Sequence, residues 1–233
     1  MGTVGDNYRE VQRRAGLAAA RAGRGPGSVR LVAVTKTVPA AGVREAVLAG
    51  ASILGENRVQ EALDKMSDPL LRELAPAPEW HLIGTLQKRK ARLAVGNFAL
   101  IHSVEDMELL REIDRQATKR GLVQKALLEV NVAGEATKHG FRPEDVLAAA
   151  KDAAHLSGVV IAGLMCVPPF TDDPESSRPY FRTMRELLGE IDRAGIPARE
   201  LSMGMTQDYE AAAEEGATLI RVGTAIFGAR DYK

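Results

Sequence analysis

Cysteine is almost missing from this chain of 233 residues: Cys166 stands alone. One thiol cannot close an intrachain disulfide, so the fold must rest on burial, and a reducing compartment suits it. No cysteine–histidine cluster suggests a metal site. Net charge is missing too, because 31 lysines and arginines meet 31 aspartates and glutamates. Without an overall positive field, nothing draws a nucleic acid or an anionic membrane to the whole surface, and at most a local anion pocket remains. No apolar run approaches membrane-spanning length, and the N-terminus lacks a signal-like apolar region. The expectation is a cytoplasmic protein with no membrane and no nucleic-acid partner. Apolar residues make up 45%, which is ordinary for a folded globule.

What is present is rhythm. Residues 6–22, rich in arginine and alanine, predict an amphipathic helix. It ends in Gly23-Arg24-Gly25-Pro26-Gly27-Ser28. That hexad lacks the lysine–serine or lysine–threonine pair of a phosphate loop and precedes a strand, so it reads as a flexible linker. Apolar runs then recur at 31–34, 52–54, 80–83, 98–101, 126–130, 159–164, 200–202 and 218–222. Helix-period segments lie between them at 39–49, 59–74, 88–95, 105–120, 143–155, 175–194 and 207–215. Pro39 and Pro143 suit first helical turns. Gly50, Gly121, Gly195 and Gly216 suit helix C-caps. Ser103 with Asp106 three residues on suggests a capping box.

Alternating β and α units imply parallel strands with right-handed crossovers. Eight of them predict a single (β/α)8 TIM-type barrel with an extra N-terminal helix. Residues 1–28 would be helix and linker, and residues 29–233 the barrel, in one domain. A doubly wound open sheet is the alternative. It is disfavoured because Thr35-Lys36-Thr37-Val38-Pro39, after the first strand, has no glycines to admit a pyrophosphate.

Barrels place their chemistry at the C-terminal ends of the strands. The residues there are Lys36, Glu56-Asn57-Arg58, Gly84-Thr85, His102-Ser103, Asn131, Met165-Cys166-Val167-Pro168, Ser202-Met203-Gly204-Met205-Thr206 and Gly223-Thr224. A lysine leaving an apolar strand loses solvation, which favours the neutral amine, a nucleophile toward aldehydes. A solvated strand cap is the plainer reading of Lys36. The groups after strands seven and eight read together as a phosphate cradle, with glycines admitting backbone N–H groups and hydroxyls adding donors. The plainer reading is two ordinary turns, with Thr206 as an N-cap. Arg221 interrupts an apolar strand, so its guanidinium needs an acceptor, either a bound ligand or a structural partner such as Glu129. His81 reads as a core histidine, while His102 could line the site or cap a helix. Cys166 reads as a small buried residue. Met165, Met203 and Met205 could pack a flat ligand, although core filling is their usual use. Lys88-Arg89-Lys90 with Arg92 reads as a solvated basic face. An imine-forming lysine opposite a phosphate cradle, with a guanidinium for a ring nitrogen, points to pyridoxal 5′-phosphate.

The motifs Val32-Ala33-Val34-Thr35-Lys36, Gly55-Glu56-Asn57-Arg58-Val59-Gln60-Glu61, His81-Leu82-Ile83-Gly84-Thr85-Leu86-Gln87, Glu129-Val130-Asn131, Lys138-His139-Gly140, Gly163-Leu164-Met165, Leu201-Ser202-Met203-Gly204-Met205-Thr206-Gln207-Asp208 and Arg221-Val222-Gly223-Thr224-Ala225-Ile226-Phe227-Gly228 follow one another in order. In this the chain resembles the pyridoxal phosphate homeostasis proteins, relatives of the N-terminal barrel of alanine racemase. The resemblance implies that Lys36 carries the cofactor as a Schiff base. It implies that Ser202, Gly204, Met205, Thr206, Gly223 and Thr224 surround the phosphate, that Arg221 faces the pyridine ring and that Asn57 stands at the wall. Arg89 departs from the family, which commonly has asparagine before Lys90, and this puts any family role of that helix in doubt. Thr35, often serine in the family, keeps the hydroxyl.

The resemblance also implies a carrier or regulator in intracellular cofactor homeostasis, without an assigned catalytic residue. Racemisation gains from two acid–base groups on opposite faces of the α-carbon. Alanine racemase takes its second, a tyrosine, from a further domain that this chain, ending at Lys233, is expected to lack. Its tyrosines are Tyr8, Tyr180, Tyr209 and Tyr232, and only Tyr209 follows a strand-end group. The expectation is a monomer that exchanges pyridoxal phosphate with apo-enzymes. A low-activity amino-acid racemase and a phosphate-sugar enzyme with an aldolase-type Lys36 are the alternatives.

Overall fold

Every apolar run contributes a strand. In chain order these are β1 (Arg30–Val34), β2 (Ile53–Glu56), β3 (Glu79–Leu82), β4 (Leu100–Val104), β5 (Gln124–Glu129), β6 (Val159–Met165), β7 (Glu200–Ser202) and β8 (Leu219–Val222). The computed structural model of the protein describes residues 2–135 and 138–229. Each strand pairs in parallel with the next, and β8 closes on β1 with Arg221 opposite Val32. That closure makes the expected (β/α)8 barrel and excludes the open sheet. β2, β4 and β8 are buried at every position, as parallel strands covered on both faces require.

The helices fall where the 3.6-residue period puts them, with informative departures at their ends. The segment 59–74 is divided into α2 (Val59–Ser67) and α3 (Pro69–Arg72). Pro69 lacks the N–H that would continue the first helix, and Asp68 restarts the chain by accepting from Leu70 N at 2.9 Å. The helix after β4, α4 (Met107–Lys119), is capped by Asp106, which accepts from Leu109 N at 2.7 Å. Ser103 is therefore not part of a capping box. It lies in β4, buried, and donates to Gly84 O at 2.6 Å. The glycines placed at C-caps, Gly50, Gly121, Gly195 and Gly216, all have positive φ.

The N-terminal helix α1 (Val4–Arg21) opens with a capping box of its own between Thr3 and Asp6. The hexad that follows is tied down where a loose linker was expected. Arg24 donates to Ala213 O at 2.6 Å and to Ala217 O at 2.9 Å, and Pro26–Ser28 form a 3-10 turn. Helix α1 packs on α5 (Tyr209–Glu214) and α6 (Thr224–Phe227), the segments that follow β7 and β8. Asn7 Nδ2 donates to Ile226 O at 3.0 Å, and Arg21 pairs with Glu214 at 2.7 Å. The extra helix thus braces one side of the barrel mouth. No helix among the described residues is long and apolar enough to cross a membrane.

Alternation along each strand sorts the core into two layers. Val32, Ile53, Leu100, Leu127, Met165 and Leu219 fill the barrel interior, and a larger apolar layer lies between strands and helices. Where β6 meets β7 the backbones leave no room for a side chain: a Cβ at Gly163 would stand 1.9 Å from Glu200 O. Gly163→Ala is expected to cost about 3 kcal/mol through forced separation of these strands. Gly25→Ala, with nothing within 4 Å of the new methyl, should stay within about 0.5 kcal/mol of wild type. Urea unfolding of the two variants measures the difference, and equal stabilities would show that the β6–β7 approach is not tight.

Candidate functional site

Lys36 is half-buried, two residues beyond the end of β1. The turn that carries it is held from below by charged groups. The Thr35 hydroxyl donates to Glu56 Oε1 at 2.6 Å. Lys65, from α2, donates to that oxygen at 2.6 Å, to Thr35 O at 2.6 Å and to Glu61 Oε1 at 2.8 Å. Glu61 also accepts from Thr37 N at 2.5 Å. Thr37 has φ 61°, a left-handed conformation that a β-branched residue keeps only when its surroundings enforce it. Lys36 sits between the buried Thr35 and the constrained Thr37, so its direction of departure is fixed. Burial pushes the Glu56 carboxyl above its ordinary pKa, against hydrogen bonds from Lys65 and Thr35.

The C-terminal mouth of the barrel encloses a cavity of about 330 Å³ lined by Val34, Lys36, Asn57, Ile83, Val167, Met205, Thr206, Arg221, Gly223 and Thr224. Seven predicted site residues therefore share one space: Lys36, Asn57, Met205, Thr206, Arg221, Gly223 and Thr224. The other four do not line it. Met165 belongs to the barrel interior, and Met203 fills the layer between strands and helices. Ser202 is fully buried in β7. Gly204 lies under α5, where a Cβ would stand 2.5 Å from Ala212 Cβ and where φ is +91°. Val34 and Ile83 were missed, and Val167 stood in a strand-end group without being singled out. Val34 was legible, since residues two apart on a strand face the same way and Val34 precedes Lys36 by two. The N-cap of α5 is Asp208 and not Thr206. Asp208 Oδ1 accepts from Met205 N at 2.7 Å, so the turn is preformed and that N–H is already engaged.

Arg221 is 4% exposed and does not pair with Glu129. It donates through Nη1 to Ser202 Oγ at 2.6 Å and through Nη2 to Cys166 O at 2.9 Å. Both acceptors are neutral, and burial draws the guanidinium below its ordinary pKa. These two bonds engage two of its five N–H donors, and Arg221 lines the cavity. Burial raises the Glu129 carboxyl to about 7, with Glu105 adding to the effect. His102 lies within β4, wholly buried, with Nδ1 2.8 Å from Ser202 Oγ. His81 is the core histidine expected, its Nδ1 3.0 Å from His102 Nε2. Burial pushes the Cys166 thiol up to about 12, which removes it as a nucleophile at neutral pH.

Tyr8, Tyr180 and Tyr209 are not part of the cavity lining, and Tyr232 lies outside the described residues. The basic stretch is a charged surface: Lys88 pairs with Glu108, and Arg89 Nε donates to Gln87 Oε1 at 3.1 Å. A larger hollow of about 560 Å³ lies at the opposite mouth, among strand starts such as Arg30, Glu79, Lys125 and Glu200. Arg30 and Glu200 pair there at 2.5 Å. The smaller cavity is the candidate site because it lies at the catalytic end of the barrel and gathers the amine and the guanidinium.

Removing Lys65 leaves Glu56 buried without its cation. Lys65→Met is expected to cost about 3 kcal/mol, and Lys65→Met with Glu56→Gln to recover part of it. Urea unfolding of both variants checks this, and a neutral Lys65→Met would remove the pair from the support of Lys36. A pH dependence follows from His81, whose pKa burial lowers from 6.5 to about 3, with Arg30 adding to the effect. Between those values the unfolded state binds more protons than the folded one, so stability falls as pH drops through that window. The urea midpoint should decrease from pH 7 to pH 4, and less steeply in His81→Phe.

The alanine racemase N-terminal domain model matches residues 6–231. A pyridoxal phosphate homeostasis protein of Aquifex aeolicus (strain VF5) is 44% identical, with 95% of this chain and 96% of that protein covered. One from Pseudomonas aeruginosa is 42% identical over 100% of this chain and 98% of its own length. The solved structure of PipY from Synechococcus elongatus PCC7942 with PLP bound is 40% identical and superposes with a TM-score of 0.80, covering 94% of this chain and 100% of PipY. Likeness of this extent in both sequence and fold places the chain in the pyridoxal phosphate homeostasis protein family.

Proposed function

We propose that the protein binds pyridoxal 5′-phosphate in the cavity at the C-terminal mouth, attached covalently to Lys36, and serves as a carrier in cofactor homeostasis. One observation carries the reading: Lys36 and the buried Arg221, whose guanidinium donates to the neutral Ser202 Oγ and Cys166 O, line the same cavity of about 330 Å³. That volume lies in the range of small-molecule pockets. The residues fit the group on chemical grounds: an amine for an aldehyde, main chain and hydroxyls for a phosphate, and a cationic donor for a ring nitrogen. PipY, a relative with the same barrel, has been solved with PLP bound.

When bound, pyridoxal phosphate supplies an electrophilic aldehyde carbon and, in its ring, an electron sink. Lys36 provides the amine, on a turn that Thr35, Glu56 and Lys65 hold in place. Thr206, Gly223 and Thr224 provide the phosphate side. Thr224 opens α6, where Ile226 N and Phe227 N already donate to Gly223 O at 2.9 Å, and Met205 N is engaged by Asp208, so the phosphate side rests chiefly on the Thr206 and Thr224 hydroxyls. Arg221 can donate a hydrogen bond to a ring nitrogen but does not give up its proton at neutral pH. A nitrogen held this way stays unprotonated, and the ring withdraws electrons less strongly, which favours holding the cofactor over turning over amino acids. Asn57, Met205 and the apolar side chains Val34, Ile83 and Val167 form the remaining wall. Receivers would be apo forms of pyridoxal-dependent enzymes, served by a cytoplasmic monomer.

The test is a titration with pyridoxal phosphate, followed by borohydride reduction, digestion and mass spectrometry. A visible band that reduction bleaches, with a mass increment on the peptide holding Lys36, is expected; Lys36→Ala should show neither. No band and no increment would sink the reading. Incubation of loaded protein with amino acids in deuterated water separates carriage from racemase activity: α-proton exchange at a catalytic rate would replace the carrier with an enzyme.

A further inference from the structure

A line of polar side chains crosses the apolar interior of the barrel from one mouth to the other. It begins at Arg221, in the wall of the Lys36 cavity. Arg221 Nη1 donates to Ser202 Oγ at 2.6 Å, Ser202 Oγ lies 2.8 Å from His102 Nδ1, and His102 Nε2 lies 3.0 Å from His81 Nδ1. His81 Nε2 then faces Glu79 Oε2 at 3.6 Å. His81 and Glu79 belong to the wall of the opposite hollow. Exposure along the line is 4% at Arg221, 0% at Ser202 and His102, and 2% at His81. Barrels fill this space with branched aliphatic residues, and here Val32, Ile53, Leu127 and Leu219 do so around the line.

Chemistry fixes the direction of every hydrogen bond. A guanidinium only donates, so Ser202 Oγ accepts from Arg221 and must place its own proton elsewhere. Among the described residues the acceptor within reach is His102 Nδ1. That nitrogen is therefore bare, and neutral His102 carries its proton on Nε2. His81 Nδ1 accepts it, so His81 carries its own proton on Nε2, toward Glu79. A proton on His81 Nδ1 would set donor against donor, and one on His102 Nδ1 would leave the Ser202 O–H without an acceptor, in a dry core. Burial keeps both imidazoles neutral, with His81 at about 3 and His102 well below its ordinary value.

We infer that His102 and His81 are positioning residues: acting through Ser202, they hold the Arg221 guanidinium in place and aim its free donors into the cavity. The consequence for binding rests on the reading of that cavity as a pyridoxal phosphate site, but the hydrogen-bond line does not.

Two measurements test it. Long-range 1H–15N correlation on histidine-labelled protein, without cofactor and at neutral pH, should show both residues as neutral Nε2–H tautomers. In Ser202→Ala the His102 signals should move toward the other tautomer. An Nδ1–H tautomer or an imidazolium in the wild type, or His102 signals unmoved by Ser202→Ala, would overturn the inference. Next, pyridoxal phosphate affinity is compared in His102→Leu and His102→Asn. Leucine cannot accept from Ser202 and should weaken binding roughly ten-fold, the scale of one hydrogen bond to a charged group. Asparagine, whose Oδ1 can accept, should regain most of the loss. Equal losses would reduce His102 to a filler and overturn the role. Correct tautomers in a wild type that takes up no pyridoxal phosphate would sink the cofactor reading and leave the line intact.

Discussion

A guanidinium cannot shed its charge, and burying it costs several kcal/mol unless acceptors meet it. Arg221 is buried in the barrel with two neutral oxygens as acceptors, Ser202 Oγ and Cys166 O. Much of the interior is arranged around that fact. Ser202 can serve Arg221 because His102 takes its proton, and His102 can do so because His81 takes the next. Cys166 contributes its carbonyl to this side of the site, while its thiol stays inert. The guanidinium donates its hydrogen bonds to neutral oxygens, with Glu129 and Asp208 acting on its charge only through space, and Arg221 remains in the wall of the cavity.

The opposite side of the cavity is built by a different device. Lys36 is half-buried just beyond the end of β1. It leaves from a turn pinned by Lys65, Glu56 and Glu61, with Thr37 held at φ 61°. The ionic cluster fixes the backbone from which Lys36 reaches the cavity that it lines. The third side, residues 205–206 and 223–224, is stiffened from outside, because α1 packs against both α5 and α6. Asp208 closes the turn at Met205 from within. Three walls are thus fixed by three separate means before any ligand arrives, the preorganisation on which a binding site depends.

The barrel was legible because each β/α unit repeats one signal, an apolar run followed by a helix-period segment, and the open doubly wound sheet was disfavoured by the missing glycines after β1. Element ends were less legible. Nothing in the apolar pattern near Ser103 reveals that the strand runs on to Val104 and passes the cap to Asp106. The site divided in the same way. Lys36, Gly223 and Thr224 stand where strand ends predict. Ser202 and Met165 lie a step too deep, and Met203 turns outward, because a three-residue β7 places the alternation of faces and not the whole motif at the mouth. Glu129, an acid inside another apolar strand, was one possible partner for Arg221 beside a bound ligand. Only the three-dimensional register shows that Ser202 and the Cys166 carbonyl are nearer. The histidine line could not be read from the chain at all, since its members come from β3, β4, β7 and β8, and no local pattern links them.

A carrier differs from an enzyme in what its site must leave undone. A site that protonates a bound pyridine ring strengthens it as an electron sink and invites chemistry at the α-carbon of any amine that exchanges in. A donor that keeps its proton does the reverse. Arg221 would act in that sense only if its own environment were unable to rearrange, since a nearby proton source could otherwise reach the ring. Two neutral histidines with fixed tautomers, sealed at 0% and 2% exposure, offer no such source near neutral pH. The same burial that makes the line costly to build makes it quiet, and a quiet site is what holding a reactive aldehyde requires.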